Sequence, residues 1–144
     1  MSDEQAITRR TFMGACTACA LAVPGVALFS SCAVQRLQSD LPVDLTQFPE
    51  LATEGETVLV DAGLRQPIAI TRIGPGESDY RVLGTECNHL NCGVNTTATG
   101  FDCPCHGSKF AADGTLLEGP ATADLPRYDF VVNGQAMVIL TPII

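Results

Sequence analysis

A chain of 144 residues has room for one domain of ordinary size and a short extra segment. An apolar content of 46% suits a globular fold, and 13 glycines, 9 prolines and no tryptophan favour short strands and turns over a helical bundle. The net charge of -8 disfavours nucleic acid as a partner and directs electrostatic steering toward basic surfaces.

Residues 1–32 read as an export signal or membrane anchor. Thr8-Arg9-Arg10-Thr11-Phe12 sets twin arginines before an uncharged run, 13–29, rich in Ala, Gly and Thr; this is the layout of a twin-arginine signal. Pro24-Gly25 inside that run argues against a buried core helix. Leu28-Phe29-Ser30-Ser31-Cys32 resembles a lipobox, which would make Cys32 a lipid-modified anchor. The alternative is an uncleaved membrane anchor, for which the run is short against the about 20 residues of a span. Cys16 and Cys19 fall inside this segment, so their C-x-x-C spacing is not read as a redox motif. The polar stretch 33–56, with Pro42 and Pro49 and no sustained period, reads as a tether.

From 57 to 144 the chain reads as an all-β domain of small antiparallel sheets. Apolar or β-branched runs at 57–60, 67–73 and 79–83 are separated by Gly63 and by Gly74-Pro75-Gly76. Residues 109–111 and 115–117 flank Asp113-Gly114, a hairpin signal. A second hairpin, 128–132 with 135–140, turns at Asn133-Gly134.

Between these runs lies the stretch that carries chemistry. Cys87-Asn88-His89-Leu90-Asn91-Cys92 and Cys103-Pro104-Cys105-His106-Gly107-Ser108 hold four of the 7 cysteines and both of the 2 histidines. Cys87, His89, Cys103 and His106 supply two thiolates and two imidazoles from two short loops. A tetrahedral zinc site competes for that donor set. Zinc spacings, however, group Cys with Cys and His with His, whereas each loop here mixes the two. A mixed pair per loop suits a [2Fe–2S] cluster with two Cys on one iron and two His on the other. Cys92 and Cys105, one per loop, would pair in an oxidising compartment and clamp the loops together; the alternative is two free buried thiols. Asp61, Asp102 and Asp124 are scattered carboxylates suited to turns. With both histidines in the cluster motif, none is left for a hydrolase triad.

C-x-H-L-x-C followed by C-P-C-H-G-S resembles the Rieske iron–sulfur proteins, of the disulfide-containing kind found in quinol:cytochrome reductases. Gly119-Pro120-Ala121 and Leu125-Pro126-Arg127-Tyr128 extend the resemblance to that family's proline loop and final hairpin. It implies a Rieske-like β-sandwich with a two-loop cluster-binding subdomain. Cys87 and Cys103 would hold the inner iron, and His89 and His106 the outer, more exposed one. Leu90 would shield the cluster on one side and Gly119-Pro120-Ala121 on the other. The implied function is one-electron transfer from a quinol to a cytochrome in a membrane-bound bc-type complex. An accessory subunit of another periplasmic oxidoreductase, of the arsenite-oxidase kind, or a stand-alone carrier is the alternative. A cytoplasmic ferredoxin fits poorly with the twin arginines. A cluster built in the cytoplasm must be exported inside a folded protein, which the twin-arginine route serves. Neutral His in place of thiolate makes the cluster less negative and a better electron acceptor.

Three departures stand out. The loop between His89 and Cys103 is shorter than usual in the family, and Asn91 stands where the quinol-reductase type usually has Gly. Ser108 is present as a donor to a cluster sulfide, but Phe110 replaces the tyrosine of high-potential members. Hydrogen bonds to sulfur raise the potential, so the expectation is a value below the Ser-plus-Tyr members and above the ferredoxin type.

Overall fold

The computed structural model describes residues 35–141. The twin arginines, Cys16, Cys19 and Cys32 lie outside the described residues. Ten short strands, β1 to β10, and two 3-10 turns make up the regular structure, and no α-helix occurs among the described residues. Three antiparallel sheets result. The first has the order β1 (Leu41–Asp44), β10 (Ala136–Ile139), β9 (Phe130–Asn133). The second runs β2 (Thr57–Val60), β3 (Ile68–Arg72), β4 (Tyr80–Gly84). The third is β5 (Asn95–Thr97), β6 (Gly100–Asp102), β7 (Lys109–Ala111), β8 (Leu116–Glu118).

The second sheet is the shared wall of two cores. Because strand side chains alternate between faces, β3 sends Ile68 and Ile70 into one core and Ala69 into the other, all fully buried. On β4, Val82 joins the first core and Leu83 the second. The first core closes against Val43, Met137 and Ile139 of the β1–β10–β9 sheet. The second packs Leu83, Val94, Phe101, Phe110, Ala121 and Leu125 around the thiols of Cys87 and Cys103. One layer of residues therefore carries both the scaffold and the floor of the cysteine loops.

Of the segment 33–56, expected as a tether, residues 35–56 fold into the domain instead. Residues 41–44 form β1, in register Leu41↔Ile139 to Asp44↔Ala136, and Leu45–Gln47 and Pro49–Ala52 are 3-10 turns. Leu37, Val43, Leu45 and Leu51 are buried in the first core. The first turn is capped by Asp44, whose Oδ1 accepts the Thr46 N–H at 3.0 Å. The stretch between the two cysteine motifs, expected as plain loop, contains the β5–β6 hairpin. The two predicted hairpins form with shifted edges. β8 begins at Leu116, with a bulge near Lys109 and Phe110. Tyr128 stays outside β9, its N–H bonding the Val82 carbonyl of the second sheet at 3.0 Å. Asp61 caps a turn as expected, accepting the Gly63 N–H at 2.8 Å, whereas Asp124 accepts the N–H of Leu116 in β8, eight residues back, also at 2.8 Å.

Candidate metal centre

The two cysteine loops share one backbone design. In the first, Cys87 N–H bonds Cys92 O (2.8 Å) and Asn91 N–H bonds Cys87 O (2.9 Å). In the second, Cys103 N–H bonds Ser108 O (2.8 Å) and Gly107 N–H bonds Cys103 O (3.0 Å). The fifth residue of each loop is left-handed, Asn91 at φ 58° and Gly107 at φ 80°. That conformation suits Gly at no cost and Asn better than other residues. Asn91 in place of the family's Gly therefore keeps the backbone it needs.

The equivalent closures bring the chemistry together. Cys87 and Cys103, the thiols at the base of each loop, are buried and unpaired. Burial pushes the Cys87 thiol up and neighbouring Cys103 adds to this, while the His89 N–H and the Ser108 hydroxyl pull it down. At the tips His106 is exposed and His89 half-buried. Their Nδ1 atoms face each other at 3.3 Å, with ring centroids 4.7 Å apart and rings nearly perpendicular. Two nitrogens bound to one metal at about 2.0–2.1 Å and a tetrahedral angle would lie about 3.4 Å apart. Buried thiols on one side and opposed imidazoles on the other are donor types that suit a two-iron cluster. Among the described residues no three His, Cys, Asp or Glu side chains converge as one ion would require.

Cys92 and Cys105 are joined in a disulfide linking the loops, with Cα atoms 6.5 Å apart. Ser108 is fully buried, and its Oγ accepts the Ala121 N–H at 2.9 Å. Its own proton is left free to point toward the thiols. Phe110 is buried in the second core. Gly119-Pro120-Ala121 forms a third loop, joined to the first where Thr122 N–H donates to Asn88 Oδ1 (3.1 Å) and Asn88 Nδ2 to Thr122 Oγ1 (3.3 Å). Gly119 and Pro120 are exposed and the bond between them is cis. Leu90 is 55% exposed, an apolar surface next to His89 rather than a packed lid.

The loops are also braced in ways the sequence did not suggest. Glu86, buried directly before Cys87, meets Arg65 of the β2–β3 connection. Thr85 Oγ1 donates to Pro67 O at 2.7 Å, and the end of the Gln66 side chain lies over Gly93. The one sequence signal was Glu86 itself, an acidic residue two positions beyond β4 and directly before Cys87.

An all-β domain that presents two thiols and two imidazoles on paired, disulfide-joined loops is an iron–sulfur electron carrier. The sequence matches the Rieske [2Fe-2S] domain over residues 42–129, and the chain belongs to this family. The chain is 31% identical to the ubiquinol-cytochrome c reductase iron-sulfur subunit of Blastochloris viridis, over 95% of this chain and 96% of that one. It is 35% identical to the cytochrome b6-f complex iron-sulfur subunit of Synechococcus sp. (strain JA-3-3Ab), over 65% of this chain and 55% of the relative. The solved structure titled "Hyperthermophilic respiratory Complex III" contains a chain of the same fold, with TM-score 0.53 and 19% identity over 67% of this chain and 71% of that one. The family carries a [2Fe–2S] cluster, and this chain's function is electron transfer through it.

Proposed function

We propose that this chain is the iron–sulfur subunit of a quinol-oxidising, cytochrome-reducing complex, with Cys87 and Cys103 on the inner iron and His89 and His106 on the outer. The observation that carries this reading is the segregation of the four donors, the thiols buried at the loop bases and the imidazoles opposed at the exposed tips. When bound, the cluster supplies a one-electron acceptor. The imidazoles present their outer edges to solvent, where a quinol hydroxyl can donate a hydrogen bond. Were His89 and His106 to hold one iron, the outer nitrogen of either, deprotonated in the oxidised state, would accept the quinol's proton while the cluster supplied the electron acceptor. Leu90 and Pro120, both exposed, give the tip an apolar rim suited to a quinone ring. The Cys92–Cys105 disulfide supports residence outside the cytoplasm, and the twin arginines support export in folded form. In this reading residues 1–32 hold the domain at the outer face of the cytoplasmic membrane, through lipid on Cys32 or an uncleaved segment.

The test is the midpoint potential of the full chain, matured with its cluster, followed by EPR against pH. A positive value that falls through the neutral-to-alkaline range supports quinol oxidation. A pH-independent value near the bottom of the about -150 to +300 mV span of Rieske centres assigns a ferredoxin-like role instead.

A further inference from the structure

We propose that Arg65 and Glu86 form a charge pair that sets the reduction potential from behind the first cluster loop, an inference that rests on the cluster assignment above. Glu86 ends β4's extension into the loop and precedes Cys87 in the chain; its side chain is only 4% exposed. Arg65 Nη1 donates to Glu86 Oε1 at 2.5 Å, and the Gln35 N–H donates to Oε2 at 3.1 Å. With the Asn91 amide turned to match its neighbours, Nδ2 donates to Glu86 Oε1 (3.1 Å) and Oδ1 accepts from Arg65 Nη1 (3.2 Å). Asn91 is the left-handed residue that closes the first loop, so the pair grips that loop at its turning point as well as at its start. Gln35 ties in the segment before β1, its Oε1 accepting the Arg65 N–H at 2.7 Å.

The electrostatic consequence follows from formal charge. With two sulfides, two thiolates and neutral imidazoles, a diferric cluster is neutral and gains one negative charge on reduction. A buried carboxylate next to a ligand opposes that charge, and an adjacent guanidinium favours it; buried Glu86 is felt strongly, half-exposed Arg65 less so. The intact pair cancels in part. Each half removed alone unmasks the other, with opposite sign. A purely structural brace would instead loosen the loop either way and move the potential in one direction.

The experiment is an EPR-monitored redox titration of the full chain at equal cluster content. Arg65 is half-exposed, so its substitutions leave the core intact. Arg65→Lys keeps the charge and should stay nearest the parent potential. Arg65→Gln should lower the one-electron reduction constant at least threefold, about 28 mV at 59 mV per decade; Arg65→Glu should lower it further. Glu86→Gln should raise it. Should Glu86→Gln fail to hold a cluster, the Arg65 series decides alone. A flat Arg65 series, or shifts of the same sign from Arg65→Gln and Glu86→Gln, overturns the proposal. A parent chain with no reducible cluster overturns the cluster assignment, and this inference with it.

Discussion

Replacing Cys92 and Cys105 together by serine tests how the two cluster loops are held. The tip residues Pro104, Cys105, His106 and Gly107 are all exposed, so the second loop has little packing of its own beyond its base. The disulfide spans 13 residues of sequence, and closing a loop near that length in the unfolded chain is worth about 3 kcal/mol. At about 4–8 °C per kcal/mol for a domain near 100 residues, the double variant should melt about 12–24 °C lower. The assay is thermal unfolding of parent and variant, followed by circular dichroism at matched cluster content. A shift below about 4 °C, with the cluster retained, would mean that the disulfide contributes no more than about 1 kcal/mol and is not what holds the loops. The Asn88–Thr122 bonds and the second core would then be sufficient to hold the loops.

Phe110→Tyr should raise the midpoint potential by adding a donor near the ligand sulfurs, checked by redox titration; an unchanged potential removes Phe110 from the account. Ser108→Ala should lower the potential and cost about 1–3 kcal/mol in denaturant unfolding, because it also strands the buried Ala121 N–H. Asn91→Gly keeps the left-handed backbone but gives up the amide's bonds to Glu86 and Arg65, so about 1 kcal/mol should be lost in denaturant unfolding, whereas Gly107→Ala should cost about 1–2 kcal/mol from backbone strain alone, since a Cβ there meets nothing within 4 Å. Lysines in place of Arg9 and Arg10 should leave precursor in the cytoplasm, read by cell fractionation; unaltered export would reject the twin-arginine reading.

The cysteine loops were legible because their chemistry-bearing residues lie close together in sequence. The candidate ligands and the Cys92–Cys105 partners all lie within the stretch 87–108, and the β9–β10 hairpin announced itself through Asn133-Gly134. What escaped the sequence was long-range. β1 is only four residues, with Pro42 inside it, and reads as linker until β10 pairs with it at the sheet edge, where proline is tolerated. β5 is polar and fully exposed, so it has no alternation to detect. Arg65 and Glu86 are 21 residues apart, and only the fold makes them neighbours. Asn91 looked like a departure from pattern until its φ of 58° showed what the position requires.

Buried Cys87 and Cys103, with opposed His89 and His106, are proposed to hold a two-iron cluster. The decisive measurement is iron and acid-labile sulfide analysis of the full chain, with EPR before and after reduction. Two irons and two sulfides per chain are expected, with a signal that appears on uptake of one electron. One zinc per chain and no reducible signal, in protein matured with iron–sulfur assembly machinery, would contradict it.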